Sequence, residues 1–173
     1  MQAWTAPELG RFLRWADAQD PDLAMGWRLL AATGMRRGEA LALRWRDVDL
    51  DAGRLAVRRS VGVVKAKGAG ERLVEGPTKT GRFRVVDLDA GTVAARRAYR
   101  AARGGPSLNL VRDSALVLSN LDGTHRHPER FSRRFAGQVA QARKALGEER
   151  LPAIGCTTCA TPTPPCCWLT ACR

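Results

Sequence analysis

The apolar spacing of this 173-residue chain changes period twice, which restricts its fold more than any other feature. Leu9, Phe12, Leu13 and Ala16 recur at helical intervals behind Thr5-Ala6-Pro7-Glu8, a capping box with Glu three residues after its Thr. A helix over about residues 6–18 is predicted. Pro21 opens a second helix, with Leu23, Met25, Trp27, Leu30 and Ala31 at its apolar positions and Gly34 placed to end it. A third, short helix is expected from Arg37 to Leu43. The period then falls to two. Arg54–Arg58, Val61–Lys65, Arg72–Val74 and Arg82–Leu88 read as strands, with Gly68-Ala69-Gly70 as a turn. Helical spacing returns over residues 91–103 and again over Pro128–Leu146, where Phe131, Phe135, Val139 and Ala142 share one side. Residues 115–119 read as a short buried extended segment. The expected class is α+β: mostly helical, with a small three- to four-stranded antiparallel sheet. No internal repeat interrupts this order.

Charge narrows the partners. Lys and Arg total 29 against 17 acids, a net charge of +12, and all but Lys65, Lys67, Lys79 and Lys144 are arginines. The guanidinium is a planar fork that matches phosphate oxygens, so an Arg-dominated excess points first to nucleic acid. A GC-rich genome, whose codons favour Arg, Ala and Gly, is the competing explanation of the count. No apolar run approaches the ~18–20 residues that a bilayer span needs. No basic stretch followed by an apolar one stands at the start. A membrane or secreted protein is therefore disfavoured, and the cytoplasm is the expected location.

The composition breaks sharply near residue 150. All 17 acids precede residue 151, and all five cysteines (Cys156, Cys159, Cys166, Cys167 and Cys172) follow residue 155. Two segments are expected: a folded domain over residues 1–154 and a disordered, irregular tail over residues 155–173.

One segment carries chemistry. Gly34 ends one helix and Arg36 stands where the next opens, beside free backbone N–H groups that favour an anion such as phosphate. Glu39, one turn on, is placed to hold a guanidinium in a fixed direction. From residue types alone, a surface Arg beside a capping Glu explains the same pattern. The run Thr33-Gly34-Met35-Arg36-Arg37-Gly38-Glu39-Ala40-Leu41, followed by Leu43, Trp45, Asp47 and Asp49, resembles the first catalytic box of the tyrosine recombinases, the phage-type integrases. Thr78-Lys79-Thr80-Gly81-Arg82, ahead of Val85, Val86 and Leu88, resembles the lysine-bearing turn of the same family. The likeness extends over roughly residues 5–154, through Leu116–Ser119 and the helix after His127-Pro128.

The resemblance implies double-stranded DNA as partner, other recombinase protomers beside it, and strand transfer with no metal or nucleotide cofactor. A Tyr attacks a backbone phosphate and forms a 3′-phosphotyrosyl link that conserves bond energy. Two Arg, with one or two His or Trp, stabilise the charge on phosphorus, and such donors are each worth roughly 10²–10³ in rate. Arg36 would be the first of these Arg, supported by Glu39, and Lys79 the general acid that protonates the leaving 5′-oxygen. Arg36, Arg37, Lys79 and Arg82 would contact DNA.

The pattern then fails. The family's His-x-x-Arg box should begin near residue 157, and the chain has Cys156-Thr157-Thr158-Cys159 there. Restoring one C after the Ile154 codon, with GC-rich third bases, makes the tail read Arg-Leu-His-Asp-Leu-Arg-His-Thr-His-Ala-Thr-Leu-Leu-Leu-Ala-Asp-Gly-Val-Pro. The missing box returns in register, followed by an apolar stretch and a Gly turn. Residues 155–173 therefore read as a frameshifted translation, and the chain is expected to be truncated and inactive. No nucleophile is assigned, because the sole tyrosine, Tyr99, lies far upstream in an Ala/Arg helix and reads as a packing or surface residue. His125 and His127 read as loop residues. The family's N-terminal DNA-clamping domain is not expected in the chain. Two alternatives remain: a non-catalytic DNA-binding remnant, and a small zinc protein using Cys156-x-x-Cys159, which adjacent cysteines and interspersed prolines fit poorly.

Overall fold

The computed structural model describes residues 4–66, 70–78, 81–147, 149 and 151–152. The chain divides into two units. One joins the segment up to Arg36 with the segment from Glu129 onward; the other runs unbroken from Arg37 to Pro128.

The first unit is helical. α1 spans Ala6–Gln19 and α2 spans Pro21–Thr33. Glu8 accepts from both the backbone N–H and the hydroxyl of Thr5, at 2.6 and 2.8 Å, and these bonds hold its carboxyl below the usual range. Asp20 caps α2 by accepting from Leu23 N–H at 3.0 Å. Gly34 ends that helix at φ 61°, a left-handed conformation that glycine adopts without cost. The third helix of this unit, which begins at Pro128 and ends at Leu146, is the last in the described chain. Its apolar side meets the other two through rings. Trp27 lies 4.3 Å from Phe131 and 4.9 Å from Phe135, and Phe12 bridges Phe135 and Trp4. The buried indole N–H of Trp27 donates to Gln138 at 2.6 Å, and that of Trp4 to the carbonyl of Pro152 at 2.8 Å. Each buried ring thus keeps its one polar group paired.

The second unit begins with α3, Arg37–Leu41. It ends two residues before the expected Leu43. Leu43 C=O is taken by Val117 N–H at 2.8 Å and Arg44 bridges Leu116, so residues 115–117 claim the backbone that would have extended the helix. Five strands follow: β1 (Val48–Asp49), β2 (Arg54–Val57), β3 (Arg59–Ala66), β4 (Gly70–Pro77) and β5 (Arg84–Asp87). They form two antiparallel sheets, β1-β2-β5 and a β3-β4 ribbon, where the sequence suggests one. The split falls at Arg58. On its near side β2 pairs with β5, Leu55 opposite Val86; on its far side β3 pairs with β4, Val61 opposite Glu75. Pro77, which has no N–H to donate, ends β4 before the chain turns into β5.

α4 spans Ala90–Gly104, capped by Asp89, which accepts from both Thr92 N–H and Thr92 hydroxyl. Those bonds hold the Asp89 carboxyl below its usual range. Residues 115–119 are largely buried, as expected, but they are not extended: Val117 and Leu118 form a turn between isolated bridges at Leu116 and Ser119. Trp45 centres this core. Its indole donates to Leu110 O at 3.1 Å, its ring faces Tyr99 at 6.4 Å, and the Arg100 guanidinium lies 5.0 Å over it. The long helix Pro128–Leu146, which begins at the end of this unit, is α5.

Candidate DNA-contacting site

Arg36 is half-buried in the link between Gly34 and α3, and Arg37 is the first residue of α3. With five residues, α3 is a single turn and a half, so its dipole is small. What fixes it is packing. Gly38 sits against β3, where an added Cβ would lie 2.5 Å from the Val61 carbonyl oxygen and 2.6 Å from Ser60 Oγ. Only a residue without a side chain allows that approach.

Glu39 is 1% exposed and does hold a guanidinium. It is that of Arg84, on β5, which donates through both terminal nitrogens at 3.2 and 2.7 Å. Such a fork sets direction as well as distance. The turn between β4 and β5 is fixed at both ends. Gly81 N–H donates to Thr78 O at 2.8 Å, and the buried Thr78 hydroxyl donates to Arg82 O at 2.7 Å. Arg82 is exposed on this turn. Lys79, assigned to the same turn from sequence, lies outside the described residues, as do the five cysteines and the whole tail 155–173.

Sequence reading missed an ionic hub beside this region. Glu75 on β4 accepts from Arg44 at 2.8 Å and approaches Arg59 at 3.1 Å and His125 Nε2 at 2.9 Å. Arg59 also binds Asp47, which Arg58 approaches at 3.4 Å. Nothing in the local sequence marks these pairs, because their members lie up to 50 residues apart. His127 pairs with Glu71 at 3.2 Å. Both histidines are therefore loop residues held by β4, consistent with their sequence reading. Tyr99 is buried against Trp45 and Arg103, the packing role expected of it.

In the first unit, α5 presents a basic face. Arg130, Arg133 and Arg134, with Gly137, Gln138 and Gln141, line an open cleft of about 350 Å³. No group of three or more potential metal ligands occurs among the described residues. No described helix is long and apolar enough to cross a membrane.

These elements, in this order, define a known class. Residues 5–152 match the model of the phage integrase family. The chain belongs to that family. Its fold is similar to that of the XerA recombinase (TM-score 0.60, 21% identity, 82% of this chain and 43% of that one). It is also similar to the Tn1549 transposon integrase in complex with transposon right end DNA (TM-score 0.65, 18% identity, 89% of this chain and 48% of that one). The chain thus spans less than half the length of either structure. No curated protein matches it.

Proposed function

We propose that this chain is the DNA-holding part of a tyrosine recombinase catalytic domain, and that as translated it binds duplex DNA without cutting it. The observation that carries the first half is the α5 cleft. Three exposed arginines and two glutamines line it along one side of the helix, in a chain of net charge +12. Guanidinium groups in such a row neutralise successive phosphates. The solved relatives include an integrase bound to transposon DNA, which favours the same partner here. Other recombinase protomers would share that DNA, in the cytoplasm.

For catalysis, Arg36 would contact the scissile phosphate, Glu39 would support that region through Arg84, and Lys79 would protonate the leaving 5′-oxygen. Arg37 and Arg82 would add phosphate contacts. The second half rests on residue types. The one tyrosine is buried at 7% exposure and faces Trp45, so it has no access to a phosphodiester. The His-x-x-Arg box is absent in the reading frame as given and returns when one base is restored after the Ile154 codon. We read residues 155–173 as the product of that shift.

Two measurements test the proposal. Binding to a duplex, titrated with salt, should weaken steeply as [NaCl] rises. No binding at low salt, or a flat salt response, overturns the DNA-holding role. A nicked duplex that traps covalent complexes should yield none with this chain and should yield them once the frame is restored and a tyrosine follows. Covalent trapping by the chain as given overturns the inactive reading.

A further inference from the structure

The β3-β4 ribbon has two unlike faces. On one, Val64 and Val74 are 52% and 45% exposed, and Gly62 and Gly76 have open space where a Cβ would stand. On the other, Val61 is buried, Val63 and Leu73 are half-buried, and Glu71 and Glu75 flank Leu73 at alternate positions. A two-stranded ribbon is marginal in water and depends on what its one covered face touches. Part of that contact is ionic: Arg44 reaches Glu75, and the chain's only two histidines reach Glu75 and Glu71 from the 119–127 loop. That loop is itself tight: Asn120 N–H donates to Thr124 O, Gly123 N–H to Asn120 O, and Ser119 bridges His125.

The two pairs are not equivalent. Glu75 faces His125, but it also carries Arg44 and Arg59, two permanent cations, with Arg58 and Asp47 beyond them. A further positive charge on His125 gains little from an acid already neutralised twice. Glu71 faces His127 with one other cation, Lys65 at 3.0 Å, and both acid and histidine are partly open to water. Within its own segment, His127 is flanked by Arg126, which donates to Ser119 O, and by Glu129, which faces Arg133. Histidine is the side chain whose charge ordinarily changes between pH 5 and 8.

We propose that His127 is a proton-operated clasp on the ribbon: charged, it binds Glu71 and tightens β4 against the loop; neutral, it lets β4 loosen, while the His125–Glu75 contact stays constant. The sign follows from the acid. Lys65, and then His127, hold the Glu71 carboxyl below its usual range, so Glu71 remains an anion through mildly acidic pH. Protonation of the histidine turns a neutral contact into an ion pair. The inference does not depend on the recombinase reading.

Hydrogen exchange of the full chain, corrected for the intrinsic pH dependence of exchange, tests it. β4 amides should be about two- to fivefold better protected at pH 5.5 than at pH 7.5, the scale of a single exposed ion pair. His127→Gln should abolish the difference, and Glu71→Gln should do the same by removing the acid. His125→Gln should lower protection equally at both pH values and keep the ratio. Equal protection of the wild-type ribbon at the two pH values overturns the clasp. So does a pH ratio that survives His127→Gln, or one that disappears with His125→Gln alone.

Discussion

Arg96 is the least comfortable side chain in the second unit. It is fully buried on the inward side of α4, and none of its three guanidinium nitrogens has a hydrogen-bond partner among the described residues. Burial pushes its pKa down to about 10, well below the ordinary guanidinium value, with nearby Tyr99 opposing the shift. The group is still charged at neutral pH, and the depression corresponds to roughly 3 kcal/mol held against the charged form. Replacing a buried, unpaired charge with an apolar side chain of similar length removes that cost. Arg96→Met should therefore stabilise the chain by roughly 1–3 kcal/mol, raising Tm by a few degrees in a thermal melt. The pH dependence has a definite sign. Below about pH 10 both folded and unfolded chains are protonated there and the full cost is present. Above it the folded chain sheds its proton first, so the stability gap between Arg96→Met and the parent should shrink as pH rises past about 10. A gap that is absent at neutral pH, or that widens with pH, contradicts this account.

At the scale of elements, Gly38 decides whether α3 can lie against β3. Gly38→Ala forces the Val61 carbonyl and Ser60 hydroxyl to give way, and backbone cannot yield as a long side chain can. The expected cost is about 1–3 kcal/mol, measured by urea unfolding, with tryptophan fluorescence reporting Trp45 in the same unit. No change in the urea midpoint would mean that α3 moves freely. This contact also shows what sequence can and cannot convey. The start of α1 and the end of α2 were legible because their cap and stop are local: Glu8 on Thr5, and Gly34 at its left-handed turn. The end of α3 was not, because Val117 sets it from 74 residues away. One sheet became two because a single residue, Arg58, separates strands whose partners come from different stretches of chain. The site divides in the same way. Arg36 and Glu39 stand in one linear motif, so the sequence names them together. The partner of Glu39, Arg84, lies 45 residues on, and no spacing rule points to it.

Across the whole molecule, the charge excess should appear as a number of ions released on binding. If the α5 cleft neutralises three phosphates, replacing Arg130, Arg133 and Arg134 together by Gln should flatten the slope of log K against log [salt] by roughly 2.7. The same substitutions lie on exposed positions and should leave the melting curve almost unchanged. An unaltered slope would assign the phosphate contacts to other arginines. The net charge of +12 adds an attraction that is independent of sequence and falls with ionic strength. A random duplex should therefore bind detectably at low salt.

The split composition of the helical unit has a cost during synthesis. Phe12 and Trp27 leave the ribosome early, yet the ring that covers them, Phe135, is translated only after the entire Arg37–Pro128 unit. At about 5–20 residues per second, α1 and α2 wait roughly 5–20 seconds with an aromatic face open to water. A nascent chain stalled in that interval should present a target to holdase chaperones, and one released after α5 should not.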